Sequence, residues 1–294
     1  MKKGLVSIVI PCYNGERYLD MCFGALLQQT FKNFEVIIVN DGSTDKTSEK
    51  IDEYIKIFEN KGIKLKKIEQ SNMGQAAAVN NALKHVTGEF LMWQDCDDYY
   101  EKDAIMNLKT FLDNNPDFQM VRGGMRRVDY NTKRVMGEER SKYPEKKNVF
   151  NAYLFETDSY CYAGVFMIRT EYFDKCIPGR EIYVSKGGQN WQLILPVAYR
   201  GKCESLSEIV YNYNFISSSH SHKGTGMVDF VKRGFIHKKI LRTIIKQMNL
   251  SRYKTIYYFV QLEFKYIYKP IRFFGKKVKR WCKEKWNCVV KKNV

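Results

Sequence analysis

The chain has 294 residues, 44% of them hydrophobic, enough to bury a sizeable core in one large domain with an appendage. Its eight cysteines form no CxxC pair and no zinc spacing, which excludes a zinc module; Cys12, Cys22, Cys96 and Cys161 sit in apolar segments as small hydrophobes, and a reducing, cytoplasmic setting fits. The formal net charge of +17 is segregated: 19 of the 49 Lys and Arg but two of the 32 Asp and Glu lie from Val231 onward, leaving the first 230 residues balanced at 30 of each.

The opening "MKKGLVSIVIPCYNGERY" has a basic start, but its apolar run is strand-length and no small-residue cleavage site follows, so no signal peptide is expected. Leu5–Ile10 reads as a buried parallel strand, followed by a helix with Leu19, Cys22, Phe23, Leu26 and Leu27 at helical spacing. Phe34–Asn40 is a second strand, and Ile51, Tyr54, Ile55 and Phe58 mark a helix ending near Gly62. "IKLKKIE" is a weaker strand, "GQAAAVNNALKHV" an alanine-rich helix and "EFLMWQ" a fourth strand. Alternation of this kind predicts an α/β fold, an open and mostly parallel sheet with helices on both faces and ligands beyond the carboxyl ends of the strands. Pro11-Cys12-Tyr13-Asn14, Asp41-Gly42-Ser43 and Asp95-Cys96-Asp97-Asp98 all fall at such ends, so three polar turns converge on one cleft. After Asp117, "FQMVRGGMRRVDYNTKRVMG" reads as a strand and hairpin turning at "YNTK", and "CYAGVFMIR" as another strand. "GGQNWQLILPVAYRG" opens a helix that Pro196 kinks or ends, and "LSEIVYNYNF" alternates like a strand. From about Met227 the pattern is helical and basic, broken near Asn249–Ser251 and by Pro270 and Gly275.

Three carboxylates within the four positions of "DCDD" repel one another, so either one is protonated or a bound cation neutralises them. A dinucleotide-binding loop, the first rival for this alternation, needs three glycines after the first strand, and "PCYNGERY" has only Gly15. Taken alone, "DCDD" also reads as the acidic cap of a helix beginning near Glu101. Its place at the end of a core strand, facing two other polar turns, suits a hard cation, Mg2+ or Mn2+, which accepts carboxylates together with the phosphates of a nucleotide diphosphate.

In "VSIVIPCYNGERYL", "QTFKNFEVIIVNDGSTDKT", "SNMGQAAAVNNAL" and "GEFLMWQDCDDYY" the chain resembles the catalytic domain of family 2 glycosyltransferases, with the GT-A fold, over about the first 115 residues. A weaker match continues through "GGQNWQL" to about Phe215. The resemblance implies a catalytic domain over residues 1–228, with 229–294 read as a basic amphipathic helical tail. It implies a nucleotide-sugar donor, UDP-linked, with Pro11, Tyr13 and Asp41 on base and ribose and Asn14, Asn72, Gln75 and Cys96 in the same donor site. Asp95 and Asp97 would form the DxD motif that holds metal and diphosphate, with Asp98 supporting it. Transfer with inversion to a saccharide or lipid-linked acceptor in surface-polysaccharide assembly is the activity the resemblance implies.

Two departures from the family pattern stand out. Ala78-Val79-Asn80 replaces A-R-N and removes a phosphate-facing arginine, and Gln189-Asn190 replaces the E-D pair whose Asp serves as base. Neither amide takes a proton near neutral pH. Glu181 and Asp158 are the nearest replacements by sequence position, unless the acceptor arrives already ionised; a catalytically silent GT-A subunit also fits. His220 and His222 in "SSSHSH" read either as a late metal contact, His220 first, or as a solvated loop. Trp191, Tyr160 and Tyr162 have sugar stacking as one reading and core packing as the other, with Trp191 assigned to the core. In the tail, "YKTIYYFVQLEFKYIYKPIRFFGKKVKRWCKEKW" interleaves aromatics with Lys and Arg too densely for a spanning helix. It suits an interfacial helix on the anionic inner face of the cell membrane. Nucleic-acid binding competes for such charge, although no RNA-binding motif accompanies it, and a solvated helical face is the third reading.

Overall fold

The computed structural model describes residues 1–140, 149–157, 161–216 and 227–267. Asp158, Tyr160, His220, His222 and the chain after residue 267 lie outside the described residues. The chain divides into two units, Met1–Ser218 and Ser219–Val294.

The apolar runs of the first unit become central strands because burial on both faces requires no alternation. They are β1 (Lys2–Cys12), β2 (Phe34–Asp41), β3 (Lys64–Gln70) and β4 (Gly88–Trp93). Val6, Ile8, Val9, Ile10, Val36, Ile38 and Val39 are fully buried. β3 is the edge, and its lysines leave it half-buried, which is why its pattern is weak and why it resists pairing with another chain. Helices α1 (Glu16–Leu27), α2 (Thr47–Glu59) and α3 (Gln75–Leu83) connect the strands. α1 meets α2 through Phe23, whose ring lies 4.9 Å from that of Tyr54 and 5.5 Å from that of Phe58.

The four strands run parallel in the order β3-β2-β1-β4. The chain moves outward from β1 to β3, then returns to β4 on the other side of β1. Strand order therefore reverses between β1 and β4, and a crevice opens there at the carboxyl ends. Register sets the three polar turns along this rim: Cys12 lies opposite Asn40, and Val9 opposite Trp93.

The rest of the unit comprises β5 (Tyr99–Tyr100), α4 (Ala104–Asn114), β6 (Met120–Asp129), β7 (Val135–Glu139), α5 (Phe150–Phe155), β8 (Phe166–Arg169), α6 (Thr170–Cys176), α7 (Gln189–Arg200) and β9 (Cys203–Phe215). β8 is antiparallel to β4 and β6, β9 is parallel to β6, β5 closes on β9, and β7 forms the expected hairpin with β6, giving one nine-stranded sheet among the described residues.

Two local expectations change. Asp95–Asp98 do not cap a helix near Glu101: β5 follows at once, pairing Tyr99 with Asn212 and Tyr100 with Tyr211, and α4 starts only at Ala104. Pro196 does not end its helix. α7 runs through it with Trp191 to Ala198 all buried, so packing outweighs a lost backbone bond worth about 3 kcal/mol in a helix interior. Trp191 belongs to the core, as its sequence context indicated.

The second unit contains α8 (Met227–Gln247) and a helix over 252–267, here α9, with Asn249 in the left-handed region between them. α8 buries Ile240, Leu241, Ile244 and Ile245. Glu263 of α9 joins the two helices, 2.7 Å from Lys238 and 3.1 Å from Arg242. No described helix is long and apolar enough to cross a membrane.

Gly164, just before β8, holds φ at +61°, and a Cβ there would stand 1.8 Å from the Tyr211 ring. Only glycine allows this approach. Gly164→Ala should destabilise the protein by about 2–3 kcal/mol in urea unfolding, and because Tyr211 must then move, any metal-dependent stabilisation should weaken as well.

Candidate active site

The turns after β1 and β2 are stitched together by side chains. Asn14, in the left-handed region, accepts from the Thr44 amide at 2.8 Å and donates its own amide to Ser43 Oγ at 2.9 Å, while Gly15 N–H donates to Thr47 Oγ1 at 2.8 Å. Tyr13 stands 47% exposed on this turn, beside buried Pro11. A Cβ on Gly15 would lie 2.4 Å from Cys12 Sγ and 3.2 Å from Cys96 Sγ. The end of β1 and the "DCDD" loop therefore meet through two thiols with no space between.

Asp41 ends β2 buried, and its carboxylate accepts from Gln70 Nε2 at 2.7 Å and from the amides of Met73 and Gly74 at 2.9 and 2.8 Å. It thereby fixes the loop carrying exposed Asn72 into α3. Gln75, the first residue of that helix, donates to Asp95 Oδ1 at 2.6 Å and accepts from Gln189 Nε2 at 3.1 Å.

The carboxylate oxygens of Asp95, Asp97 and Asp98 lie within 4.8 Å of one another. Asp98 is the anchor. Fully buried, it accepts from Tyr211 OH at 2.9 Å and from the Asn214 amide at 2.7 Å, and Asn214 Nδ2 also donates to the Asp97 carbonyl. The Tyr211 hydroxyl accepts in turn from the Asp95 amide at 3.3 Å. Removal from water pushes the Asp95 carboxyl up to about 7, the Asp97 charge adds to this, and the Gln75 bond opposes it. Removal from water likewise raises Asp97, against its own backbone bond and the Arg17 charge. Asp98 is raised well above the carboxylate range by burial, then by the charges of Asp97 and Asp95. The arrangement fits a hard divalent cation: Asp98 has both oxygens engaged, so Asp95 and Asp97 would hold Mg2+ or Mn2+ and be relieved of their repulsion.

On the opposite wall Asn190, the residue expected at the base position, accepts from Trp93 Nε1 at 2.9 Å. Asn80 clamps the segment before α7: its Nδ2 donates to the Ile182 carbonyl at 2.8 Å, and its Oδ1 accepts from the Ile182 amide at 2.8 Å. Glu181, next to this clamp, is exposed. Val79, the middle residue of Ala78-Val79-Asn80, is buried and supplies no cation. The site thus gathers Asn14, Asp41, Gln75, Asp95, Cys96, Asp97, Gln189 and Asn190. Tyr211, Asn214, Trp93 and Arg17 escaped the reading of the sequence. The repeated "YNYN" in a strand was the available signal, since asparagines buried in a sheet must bond to something.

Residues 7–177, more than half of the chain, match the family described as Glycosyl transferase family 2, and the chain belongs to that family. Its fold is GT-A. It is similar to glycosyltransferase GlyA of Streptococcus pneumoniae, 37% identical over 103 residues, which is 35% of this chain and 14% of GlyA. The chain therefore spans a minor part of that relative's length. Among solved structures, residues 1–349 of S. aureus TarS with UDP-GlcNAc superpose with a TM-score of 0.63 at 21% identity, over 88% of this chain and 72% of that one. The mannosyltransferase PcManGT of Pyrobaculum calidifontis, in complex with GDP-Man and Mn2+, gives 0.61 at 16%, over 88% and 68%.

The raised Asp95 carboxyl makes a pH prediction. Between its ordinary value of 3.8 and about 7 the folded state holds more protons than the unfolded, so stability without metal falls as pH rises through this window. Cation binding needs the ionised form. The gain in Tm on adding Mn2+ should therefore be small near the bottom of the window and grow until pH passes about 7; Asp97→Asn should raise Tm at neutral pH without metal and abolish the gain.

Proposed function

We propose that the protein is a metal-dependent, inverting hexosyl- or N-acetylhexosaminyltransferase. It uses a UDP-linked donor and a saccharide or lipid-linked acceptor, and it serves surface-polysaccharide assembly at the inner face of the cell membrane. The observation that carries this reading is the trio of carboxylates at the point where strand order reverses, held there by β9. TarS and PcManGT, which share the fold, have been solved in complex with UDP-GlcNAc and with GDP-Man and Mn2+ respectively. The basic chain after Val231 supports the membrane location.

Tyr13 offers its exposed ring to the base, and Asp41 holds the loop that closes the uridine side. Asp95 and Asp97 would hold Mg2+ or Mn2+, which would supply positive charge to offset that of the departing diphosphate. Gln75 and Gln189 orient the donor side, and Asn190, its oxygen already engaged by Trp93, offers N–H to the acceptor. The acceptor oxygen attacks the anomeric carbon from the face opposite the leaving group, the nucleoside diphosphate departs, and the acceptor proton passes to a carboxylate outside the acidic trio. Glu181 is that carboxylate among the described residues.

A thermal-shift panel of nucleotides with and without Mn2+ tests the donor half, since a ligand of the native state raises Tm. UDP with Mn2+ should stabilise the wild type, and Asp95→Ala and Asp97→Ala should each lose the metal-dependent part with the fold intact. Asp41→Ala should weaken UDP even without metal. Unchanged responses in all three would reject the donor site. Once the product is identified, Glu181→Gln should lower kcat by about 10²-fold with a hydroxyl acceptor and alter the acidic limb of the pH profile; an unchanged profile removes Glu181 from the role.

A further inference from the structure

The second unit presents an apolar face that the transfer chemistry does not use. Tyr253, Ile256, Tyr257, Val260, Phe264 and Ile267 of α9 are 46–80% exposed. At 3.6 residues per turn they fall within an arc of about 100° along a helix about 24 Å long. Tyr258 and Leu262, on the opposite side, are buried. The stripe is therefore the outer face of a helix already packed by its other side, and continuous exposed apolar surface of this kind marks an interaction site. Arg252 and Lys254 flank it, one on either side, near the start of the helix. The acid of this helix, Glu263, is already paired to Lys238 and Arg242.

We infer that α9 lies in the headgroup boundary of an anionic bilayer with this stripe immersed, an assignment that rests on the membrane part of the reading above. Charge complementarity selects the occupant. Tyr257, Val260, Phe264 and Ile267 also have the spacing of a coiled-coil seam, but a second copy would bring the basic rim of one α9 against the same rim of the other, with the one acid engaged inside the hairpin. Lipid phosphates meet that rim with the opposite sign, and the Lys and Arg stems extend along the apolar surface to reach them. Tyr253 and Tyr257 present ring and hydroxyl together, which suits the same boundary.

The test uses the full chain with sedimenting vesicles of phosphatidylglycerol and phosphatidylcholine, and of phosphatidylcholine alone, across a salt series, with the UDP thermal shift run in parallel. Wild type should bind the anionic vesicles and keep a fraction bound at salt that screens charge. Ile256→Gln with Phe264→Gln, both at exposed positions, should reduce partitioning about tenfold or more at every salt concentration, with Tm and the UDP response unchanged. Arg252→Glu with Lys254→Glu should reduce binding to anionic vesicles and leave any binding to phosphatidylcholine. Wild-type partitioning in the Gln double variant would overturn the assignment in favour of tail charge alone. A wild-type dimer that this variant converts to monomer, with vesicle binding unaltered, would assign the stripe to a second copy; single-stranded RNA that displaces vesicles and binds through the same residues would assign it to nucleic acid. Wild type that ignores vesicles overturns the membrane reading and the stripe together. Vesicle binding without any UDP response supports the stripe and rejects the transferase reading instead.

Discussion

The site depends on one buried carboxylate. Asp98 lies out of water beside two further acidic side chains, a position in which its ionised form costs several kcal/mol without compensating bonds. Both its oxygens receive donors from β9, the Tyr211 hydroxyl and the Asn214 amide. These bonds pin the loop after β4 to a strand that is itself held along nearly its whole length by β6. With Asp98 fixed, Asp95 and Asp97 cannot swing apart to relieve their repulsion. The fold therefore holds three acidic side chains closer than their repulsion favours, and Cys12 and Cys96, packed against Gly15, leave the loop no room on its other side.

The amides around this trio have an electrostatic logic of their own. Gln189 reaches Asp95 through Gln75, so a glutamate at position 189 would add another acidic group to a chain of contacts whose carboxyls are already raised. Asn190, bonded to Trp93 at the end of β4, ties the N-terminus of α7 to the same strand that delivers the aspartates. The two sides of the crevice are thus joined by amide hydrogen bonds, which position groups without raising any carboxyl further. Val79 fits this picture as core: it lies where α3 faces inward, and nearby Asn80 spends its whole side chain on the Ile182 backbone.

What could be read in the sequence was whatever leaves a local mark. Leu5–Ile10 and Phe34–Asn40 announce buried strands by uninterrupted apolar runs, and their polar ends announce a rim. "DCDD" itself announces either a cation or a cap. Nothing local distinguishes the two, because the decision lies with Tyr100, whose pairing with Tyr211 consumes the residues a helix would need. Pro196 misleads for a related reason: propensity sees the missing N–H, but not the buried residues on both sides of it. In α9 the mixture of aromatic and basic residues was plain, whereas the separation of Tyr258 and Leu262 from Phe264 and Ile267 required knowing which side packs.

The position of the Asp98 anchors along the chain has a consequence for assembly. Tyr211 and Asn214 lie 113 and 116 residues downstream of the carboxylate they hold. The parallel strands β1 to β4 emerge first during synthesis and can associate through neighbouring crossovers, but the acidic loop has no fixed conformation until β9 is added. Closing so long a loop is entropically slow. The bonds that hold the acidic loop can form only once residues more than 110 positions further along have been made. The gathering of the three acidic side chains thus waits for a strand that contributes none of them.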